Sequence, residues 1–541
     1  MKKLTLVLLI IGLIAPVLVG QAPADAPLFD LAIINGRIVD GTGNPWFYGS
    51  VAIKDGLIVK LGKVDSSHST RTIDARGMIV APGFIDVHTH VESSLGDNPS
   101  ADNFLFMGVT SLVTGNCGGS QLDVGNYLAG LESAGISVNV ATLIGHGAVR
   151  RQIIREEARE PSPDELQKMR DLVATAMREG AVGMSTGLIY VPGTYAKTDE
   201  VVELAKEVAR YGGVYSTHMR DEGNKVLDSI NETLTIGQQA NLPVNISHFK
   251  ISSKKRWGDT RETCKLVADA RARGQQVTVD QYVYTASSTS LNVLLPSWVL
   301  EGGREKAKER LDDPGRRASI KREMIETIHN SGFKDFSYAV VAGYRSDPSY
   351  EGKNLVEITK LARGKSSLDD QAEQIIAMFL AGSAAMVYHK MAEPDVEHII
   401  AQPFAMIASD SGVQQMGRGA PHPRGYGNNA RVLGMYVREK RVIGLEDAVR
   451  KMSSLPASTF NLWDRGMIRP GMAADIVVFD DKKVGDRATF DKPHQYAEGF
   501  AYVVVNGKVV IDGGSHTKAK AGRALYGPGR QASSEVNPVV R

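Results

Sequence analysis

The sequence predicts an α/β protein: a (β/α)8 TIM-like barrel with a small β-sandwich domain built from both chain ends. Three observations support this prediction. Short apolar strands alternate with amphipathic helices through the middle of the chain, which is typical of parallel βα units. Eight strand candidates can be counted there, the number that closes such a barrel. Alternating apolar segments with Asn-Gly or Asp-Gly turns occur near both ends of the chain.

The predicted β-sandwich takes its strands from residues 27–80 and 466–515. In the first segment, the pairs Asn35-Gly36 and Asp55-Gly56 separate short apolar runs, and Asn506-Gly507 does the same in the second. Such pairs favour two-residue hairpin turns between antiparallel strands. Residues 516–541 are expected to form a tail that is poorly ordered from about Gly522.

The barrel is expected over residues 81–465. Its strand candidates are, in chain order, GFIDVH, TSLVTG, VNVATLIG, AVGMSTG, GVYSTH, PVNISH, QVTVDQY and FAMIASD. Among the helices between them, the segment after Ser162 has that serine as a candidate N-cap and Gly180 just past its end. Between strands seven and eight the chain is far longer than an ordinary connection. We therefore expect an inserted lobe at about residues 287–400, beside the barrel mouth.

The N-terminus has the features of a secretory signal peptide over residues 1–26. Lys2 and Lys3 precede an apolar run from Leu4 to Val19, which is followed by small and polar residues. The mature protein is therefore expected in the periplasm or outside the cell, with no membrane attachment after cleavage. An uncleaved membrane anchor is the alternative.

Charge and cysteine content narrow the possible functions. The 63 basic and 61 acidic residues leave a formal net charge of +2, which gives no reason to expect nucleic acid as a partner. Only two cysteines are present, although export would permit disulfides. Cys264 lies in a helical pattern, where a buried packing role is favoured. Cys117 lies instead in the glycine-rich stretch VTGNCGG, which is poorly suited to burying a thiol. The sequence does not indicate an oligomeric state.

Metal-ligating residue types fall at the predicted carboxyl ends of the barrel strands, where reactive groups of this fold lie. His88 and His90 end strand one, two positions apart and so on one side of it. The others are Cys117 after strand two, His218 after strand five, His248 after strand six and Asp410 after strand eight. Imidazole, thiolate and carboxylate ligands together favour Zn²⁺, with other divalent metals possible.

Each of these residues alone is a weak signal, because a strand-end His or Asp is often only part of the core or a helix cap. The argument for a metal site depends on all six having the same position relative to their strands. His146, which follows strand three, fits packing as well as it fits a site role.

The sequence also resembles the N-acyl-D-amino-acid deacylases (D-aminoacylases) of the amidohydrolase superfamily, from about Leu31 to Gly514. General marks of the resemblance are APGFIDVHTH and GMIRPGMAADIVVFD. More specific ones are GVTSLVTGNCGG, STGLIYVPGTYA, THMRDEG, ISHFKIS, ASDSG and PHPRGYG. The resemblance implies one zinc ion bound chiefly by Cys117, His218 and His248. His88, His90 and Asp410 would complete a second, weaker position.

The resemblance also implies an activity, the hydrolysis of N-acyl-D-amino acids to a carboxylate and a free D-amino acid. Asp410 would act as general base and then acid. The substrate's α-carboxylate would be bound by Lys250, Tyr282, Ser288 and Arg424. Many hydantoinase-like relatives use a carboxylated lysine at the end of strand four, where this chain has no lysine. Cys117 is the natural substitute for that ligand.

The sequence favours one class of substrate side chain and is compatible with two alternative functions. The stretch LNVLLPSWVLEGG has no arginine placed to bind an acidic side chain, which favours substrates with hydrophobic side chains. The first alternative function is hydrolysis of cyclic amides or of dipeptides with a D-residue. The second is an inactive, exported binding protein, against which the presence of Asp410 argues.

Overall fold

The computed structural model describes residues 28–531. The predicted signal peptide lies outside the described residues, and export stays a prediction. Within residues 28–531, no helix has both the length and the apolar character needed to cross a bilayer.

Eight parallel strands form the barrel, as the sequence predicts. In chain order they are Phe84–Asp86, Val109–Thr114, a third strand in two pieces (Asn139–Thr142 and Ile144–Gly145), Gly183–Gly187, Val214–His218, Val244–Ile246, Val277–Gln281 and Ala405–Ile407. Strands one to three are paired in order, and so are the second piece of strand three and strands four to eight. A parallel bridge between Thr89 and Ser411 joins the extensions of strands one and eight. The predicted fold class is thereby confirmed.

Helices connect the strands around the barrel. Before strand eight they are Ser94–Asp97, Asp102–Leu105, Val124–Ala134, His146–Ile154, Pro163–Glu179, Thr198–Ala209, Val226–Ala240, Thr260–Ala272 and Glu393–Ile400. After it come Arg424–Arg431, Val432–Glu439 (a π-helix), Leu445–Met452 and Ser454–Thr459. The longest of these helices, Pro163–Glu179, begins and ends where its capping residues predict. Ser162 and Glu165 form a capping box at its start, and Gly180 ends it with φ +112°.

Strands from both ends of the chain build the β domain. Those from the first part are Phe29–Ile38, Phe47–Lys54, Leu57–Gly62, Ser69–Asp74 and Ile79–Pro82; those from the second are Ile476–Phe479, Phe500–Val505, Lys508–Asp512 and Ser515–His516. Ile476–Phe479 pairs antiparallel with Ile79–Pro82 and so joins the two parts. Backbone hydrogen bonds connect all nine strands into one continuous sheet.

A separate lobe is inserted between barrel strands seven and eight. It has a three-stranded antiparallel sheet of Ser287–Ser290, Ala339–Gly343 and Ala385–Tyr388. Four helices pack with this sheet: Arg304–Asp312, Pro314–Asn330, Leu355–Arg363 and Leu368–Leu380. Buried aliphatic and aromatic side chains, including Leu291, Phe336 and Tyr388, give the lobe its own apolar core.

The segment after the β domain differs from the expected tail. Residues 522–526 lie against barrel strand three, where Leu525 N–H donates to Val140 O at 2.7 Å. Val140 N–H donates to Arg523 O at 2.9 Å. The approach is so close that a Cβ added to Gly522 would lie 2.0 Å from Val138 O. The prediction of disorder from about Gly522 is therefore wrong for these residues, because unpaired backbone of strand three supplies their hydrogen-bond partners.

Candidate metal centre and substrate cavity

All six predicted ligands lie together at the barrel mouth. Three overlapping groups have donor atoms within 4.8 Å of one another, and so could each hold a metal ion; they are His88, His90 and Cys117, then Cys117, His218 and His248, then His88, His248 and Asp410. Cys117 belongs to two of the three groups. The parallel barrel brings the six together because each follows the carboxyl end of a strand.

Cys117 lies between the imidazoles of three different strands. Its Sγ is 3.3 Å from Nε2 of His88, 3.8 Å from Nδ1 of His218 and 3.6 Å from Nε2 of His248. A thiolate and two imidazoles are ligands that Zn²⁺ commonly takes in proteins. His218 and His248 are almost wholly buried. The donor types and their burial thus fit a bound metal ion.

The turn that presents Cys117 requires an unusual backbone. Cys117 itself has φ +54°, and Gly115 and Gly118 both have φ +78°. A Cβ at Gly115 would lie 2.2 Å from Leu143 O, and one at Gly118 would lie 2.9 Å from Gly187 N. The glycines therefore let the turn approach strands three and four closely.

Two further ligands share this left-handed backbone. His248 has φ +36° and Asp410 has φ +52°. Non-glycine residues in such conformations cost of the order of 1–3 kcal/mol each and concentrate at functional sites. Three of the six candidate ligands are therefore held in strained geometry by the surrounding barrel.

Asp410 faces the two histidines of strand one. Its Oδ1 is 3.5 Å from Nε2 of His88 and 3.2 Å from Nε2 of His90. Its other oxygen, Oδ2, lies 2.9 Å from Nη1 of Arg424. Burial opposes ionisation of this carboxyl, but the Arg424 guanidinium and the histidines hold its pKa well below the ordinary value. Asp410 is therefore a carboxylate at neutral pH.

Acidic residues behind the ligands orient the imidazoles. Glu222 Oε1 is 2.9 Å from Nδ1 of His248, and Asp280 Oδ1 is 3.4 Å from Nδ1 of His88. Asp280 also accepts a hydrogen bond from the His248 backbone N–H at 2.7 Å. Carboxylates in such positions fix the ring orientation and increase the basicity of a ligating histidine.

The thiol of Cys117 is set to ionise. Burial would raise its pKa, but His88 and the hydrogen bonds from His218 and His248 outweigh burial and hold the pKa well below its ordinary value. Metals bind the thiolate and not the thiol. The environment thus prepares the form of Cys117 that a metal requires.

A cavity of about 490 Å³ opens from the ligands toward the inserted lobe. His90, Cys117, His218, His248 and Asp410 line its base. The predicted substrate-binding residues Lys250, Tyr282, Ser288 and Arg424 all line its walls. Barrel and lobe therefore enclose one site, because Ser288 lies on a lobe strand and the other three follow barrel strands.

The four predicted substrate-binding residues differ in the contacts that their side chains make with other residues of the protein. Arg424 lies over the Tyr282 ring, with Cζ 4.3 Å from its centroid, and pairs with Asp410. Ser288 Oγ donates to Met386 O at 2.8 Å within the lobe sheet. The Lys250 ammonium contacts Glu222 Oε1 at 2.6 Å, His248 Nδ1 at 3.0 Å and His248 O at 3.1 Å.

The sequence did not identify several residues that contribute to the site. Glu222 lies in THMRDEG and Asp280 in TVDQY, but an acidic residue there is equally compatible with a turn or a core position. His422 also contributes: its Nε2 donates to Ala286 O at 2.9 Å, and its Nδ1 accepts from Arg424 N–H at 3.0 Å. Position relative to a strand end could have found Asp280, whereas Glu222 and His422 lie in loops.

His146 belongs to a different cluster. It is fully buried, and its Nε2 lies 2.8 Å from Glu200, which also pairs with the buried Arg150. His146 is absent from the lining of the 490 Å³ cavity. Its environment is therefore a structural ion-pair network between two helices, which answers the question that the sequence left open.

Known proteins show which family has this arrangement. Residues 71–511 match the amidohydrolase family. A D-aminoacylase of Alcaligenes xylosoxydans xylosoxydans is 34% identical over 93% of this chain and 99% of its own length.

Solved structures agree with the sequence relatives. A D-aminoacylase structure, described for the role of its binuclear metal centre, has a TM-score of 0.78 and 34% identity, covering 92% of this chain and 100% of its own. An N-acyl-D-glutamate deacylase from Bordetella bronchiseptica, complexed with zinc and a phosphonate inhibitor, has a TM-score of 0.79 and 32% identity over 92% and 99% of the two chains. This chain belongs to the amidohydrolase family and, within it, to the N-acyl-D-amino-acid deacylases, as its motifs predict.

Proposed function

We propose that the protein is a zinc-dependent hydrolase that converts an N-acyl-D-amino acid into a carboxylate and a free D-amino acid. One observation carries the proposal: the donor atoms of Cys117, His218 and His248 meet beside Asp410 at the base of a cavity. The relatives that carry deacylase names, and the zinc in the Bordetella structure, support the choice of reaction and of metal.

The residues around the cavity would have separate roles in the reaction. When bound, a zinc ion lowers the pKa of a coordinated water and polarises the amide carbonyl. Asp410, ionised through Arg424, would accept a proton from the attacking water and return it to the amine as the carbon–nitrogen bond breaks. His88 and His90 position that carboxylate. Arg424 and Tyr282 face the cavity beside it, where they would bind the substrate's carboxylate.

We further propose a preference for hydrophobic side chains. Part of the cavity wall is apolar and is formed by Ile189, Val293, Ala342, Ala385 and Pro421. Burying an apolar substrate side chain against such a wall contributes about 25 cal/mol for each Å² removed from water.

The function is tested with purified protein on N-acetyl-D-leucine, N-acetyl-L-leucine and a hydantoin, with zinc quantified in the same samples. We expect hydrolysis of the D-enantiomer alone and its loss after chelation of the metal. Equal hydrolysis of both enantiomers would refute the deacylase assignment. Turnover of the hydantoin alone would support the cyclic-amide alternative. A faster reaction with N-acetyl-D-glutamate than with N-acetyl-D-leucine would refute the hydrophobic preference.

A further inference from the structure

Side chains from strands one and four hold the turn that carries Cys117. Gly115 N–H donates to Glu92 Oε1 at 2.6 Å, and Glu92 lies in the loop after strand one. Ser185, on strand four, makes two contacts: its Oγ donates to Gly115 O and accepts from Gly118 N–H at 3.0 Å. The two glycines on either side of the thiol are therefore fixed by side chains from outside the turn.

The hydroxyl of Ser185 is suited to this double contact. A serine hydroxyl has one donor and two acceptor lone pairs, so it can donate to one backbone group and accept from another. Ser185, Gly115 and Gly118 are all buried. A buried backbone group that loses its hydrogen-bond partner destabilises the conformation that buries it. Removal of the hydroxyl would deprive Gly115 O and Gly118 N–H of this partner.

The backbone of the turn requires such support. Cys117 has φ +54°, and non-glycine residues keep such values only where the surrounding structure over-determines them. Gly118 O also accepts from Ala148 N–H at 2.9 Å. The end of strand four packs directly on the turn, since a Cβ added to Gly187 would lie 2.2 Å from Cys117 O. Strand four thus meets the turn with a hydroxyl and with a glycine.

We infer that Glu92 and Ser185 are positioning residues that hold the turn so that Sγ of Cys117 faces the three imidazoles. Among residues 28–531, neither belongs to the lining of the 490 Å³ cavity, so both would act through the backbone of the turn and not on the substrate. Strand four supplies none of the candidate ligands in that range but would contribute to metal binding through Ser185. The inference rests on the proposed function, because it concerns the same zinc ion.

The first test compares zinc affinity in Ser185→Ala and in a matched control, Ser111→Ala. Ser111 is also fully buried and lies on strand two, but its hydroxyl accepts from Asn139 Nδ2 at 3.1 Å. We expect Ser185→Ala to bind zinc about 10- to 100-fold more weakly, as when other groups that orient a ligand are removed, and Ser111→Ala to match the wild type. Competition with a chromogenic chelator measures the affinities. Equal affinities in the two variants would overturn the role of Ser185.

Glu92 provides a second pair of variants at a half-buried position, which tests the inference even if Ser185→Ala does not fold. Glu92→Gln keeps an oxygen that can accept from Gly115 N–H, whereas Glu92→Ala removes it. Zinc affinity should fall by about 10- to 100-fold in Glu92→Ala and should be largely restored in Glu92→Gln. An equal loss in both variants, or no loss in either, would overturn the role of Glu92.

Cobalt substitution reports on the sulfur itself. A thiolate bound to Co²⁺ gives a charge-transfer band in the near ultraviolet, which a loss of stability elsewhere in the protein would not change. At saturating cobalt, this band should be weaker in Ser185→Ala and in Glu92→Ala than in Ser111→Ala. An unaltered band in the first two variants would overturn the inference, since the thiolate would then reach the metal without these residues.

Hydrogen exchange in chelator-treated protein requires neither zinc nor turnover. Peptides that cover residues 113–119 should exchange faster in Ser185→Ala than in Ser111→Ala, because Gly118 N–H loses its acceptor. If the wild type binds no zinc, the proposed function fails, but faster exchange would still support the contact of Ser185 with the turn. Equal exchange in the two variants would overturn it.

Discussion

The two cysteines of this chain lie in environments that shift the pKa of a thiol in opposite directions. Cys117 is in a left-handed turn among three imidazoles, and its pKa is held well below the ordinary value. Cys264 is in the helix Thr260–Ala272, within the apolar core, where burial raises its pKa to about 12. Cys117 is half-buried and Cys264 is buried, and desolvation opposes ionisation of both thiols, so desolvation alone does not decide whether a cysteine is inert. The charges and donors around the sulfur decide whether it becomes a ligand.

The largest expected effect comes from removing the ligand in the first region. Cys117→Ala should lower zinc affinity by about 100-fold or more and abolish turnover, since even residues that only support a ligand contribute 10- to 100-fold. Zinc content by mass spectrometry and kcat/KM on N-acetyl-D-leucine provide the measurement. Cys264→Ala is the matched control and should keep both zinc and activity. Full zinc retention in Cys117→Ala would remove the distinction between the two cysteines.

A second substitution separates metal binding from chemistry within the first region. Asp410→Asn keeps the size of the side chain but cannot accept a proton from water. We expect zinc to remain bound and kcat to fall by about 100- to 10,000-fold, the range for a general acid–base group. Near-normal turnover would exclude Asp410 from the acid–base role.

The third test concerns the carboxylate behind the metal ligands. Glu222→Gln removes the charge that meets His248 and Lys250. Zinc affinity should fall by about 10- to 100-fold, as for other residues that orient a ligating histidine. Competition with a chromogenic chelator measures this affinity. An unchanged affinity would mean that the histidine ring is held without Glu222.

The smallest effect, and the most direct comparison of the two thiols, is the pH dependence of alkylation in chelator-treated protein. A lowered pKa keeps Cys117 as thiolate below the pH at which an ordinary cysteine ionises, so it should react with iodoacetamide even at about pH 6.5. Cys264 should stay unmodified until the protein unfolds. Peptide mapping after timed quenching gives the two rates. Equal rates at this pH would contradict the opposite pKa shifts.

A similar contrast separates two histidine environments at the strand ends. His248 and His146 follow strands six and three, and both are buried. Only His248 borders the cavity, whereas His146 pairs with Glu200 beneath the surface. Position after a strand therefore predicts that a side chain lies near the barrel mouth, but it does not predict which way that side chain points.

The sequence by itself determined the barrel, the β domain shared by both chain ends and the six residues that meet at the mouth. It could do so because strand periodicity and parallel pairing place every strand end at one edge. Its motifs also indicated the family.

Only the tertiary structure decided how the charged groups pair. The pairing of Lys250 with Glu222, the pairing of Arg424 with Asp410 and the packing of residues 522–526 on strand three all depend on contacts made by loops and by the segment after the β domain. Contacts between segments far apart in the chain leave no periodic signal, because their geometry is set by packing and hydrogen bonding once the whole barrel has closed.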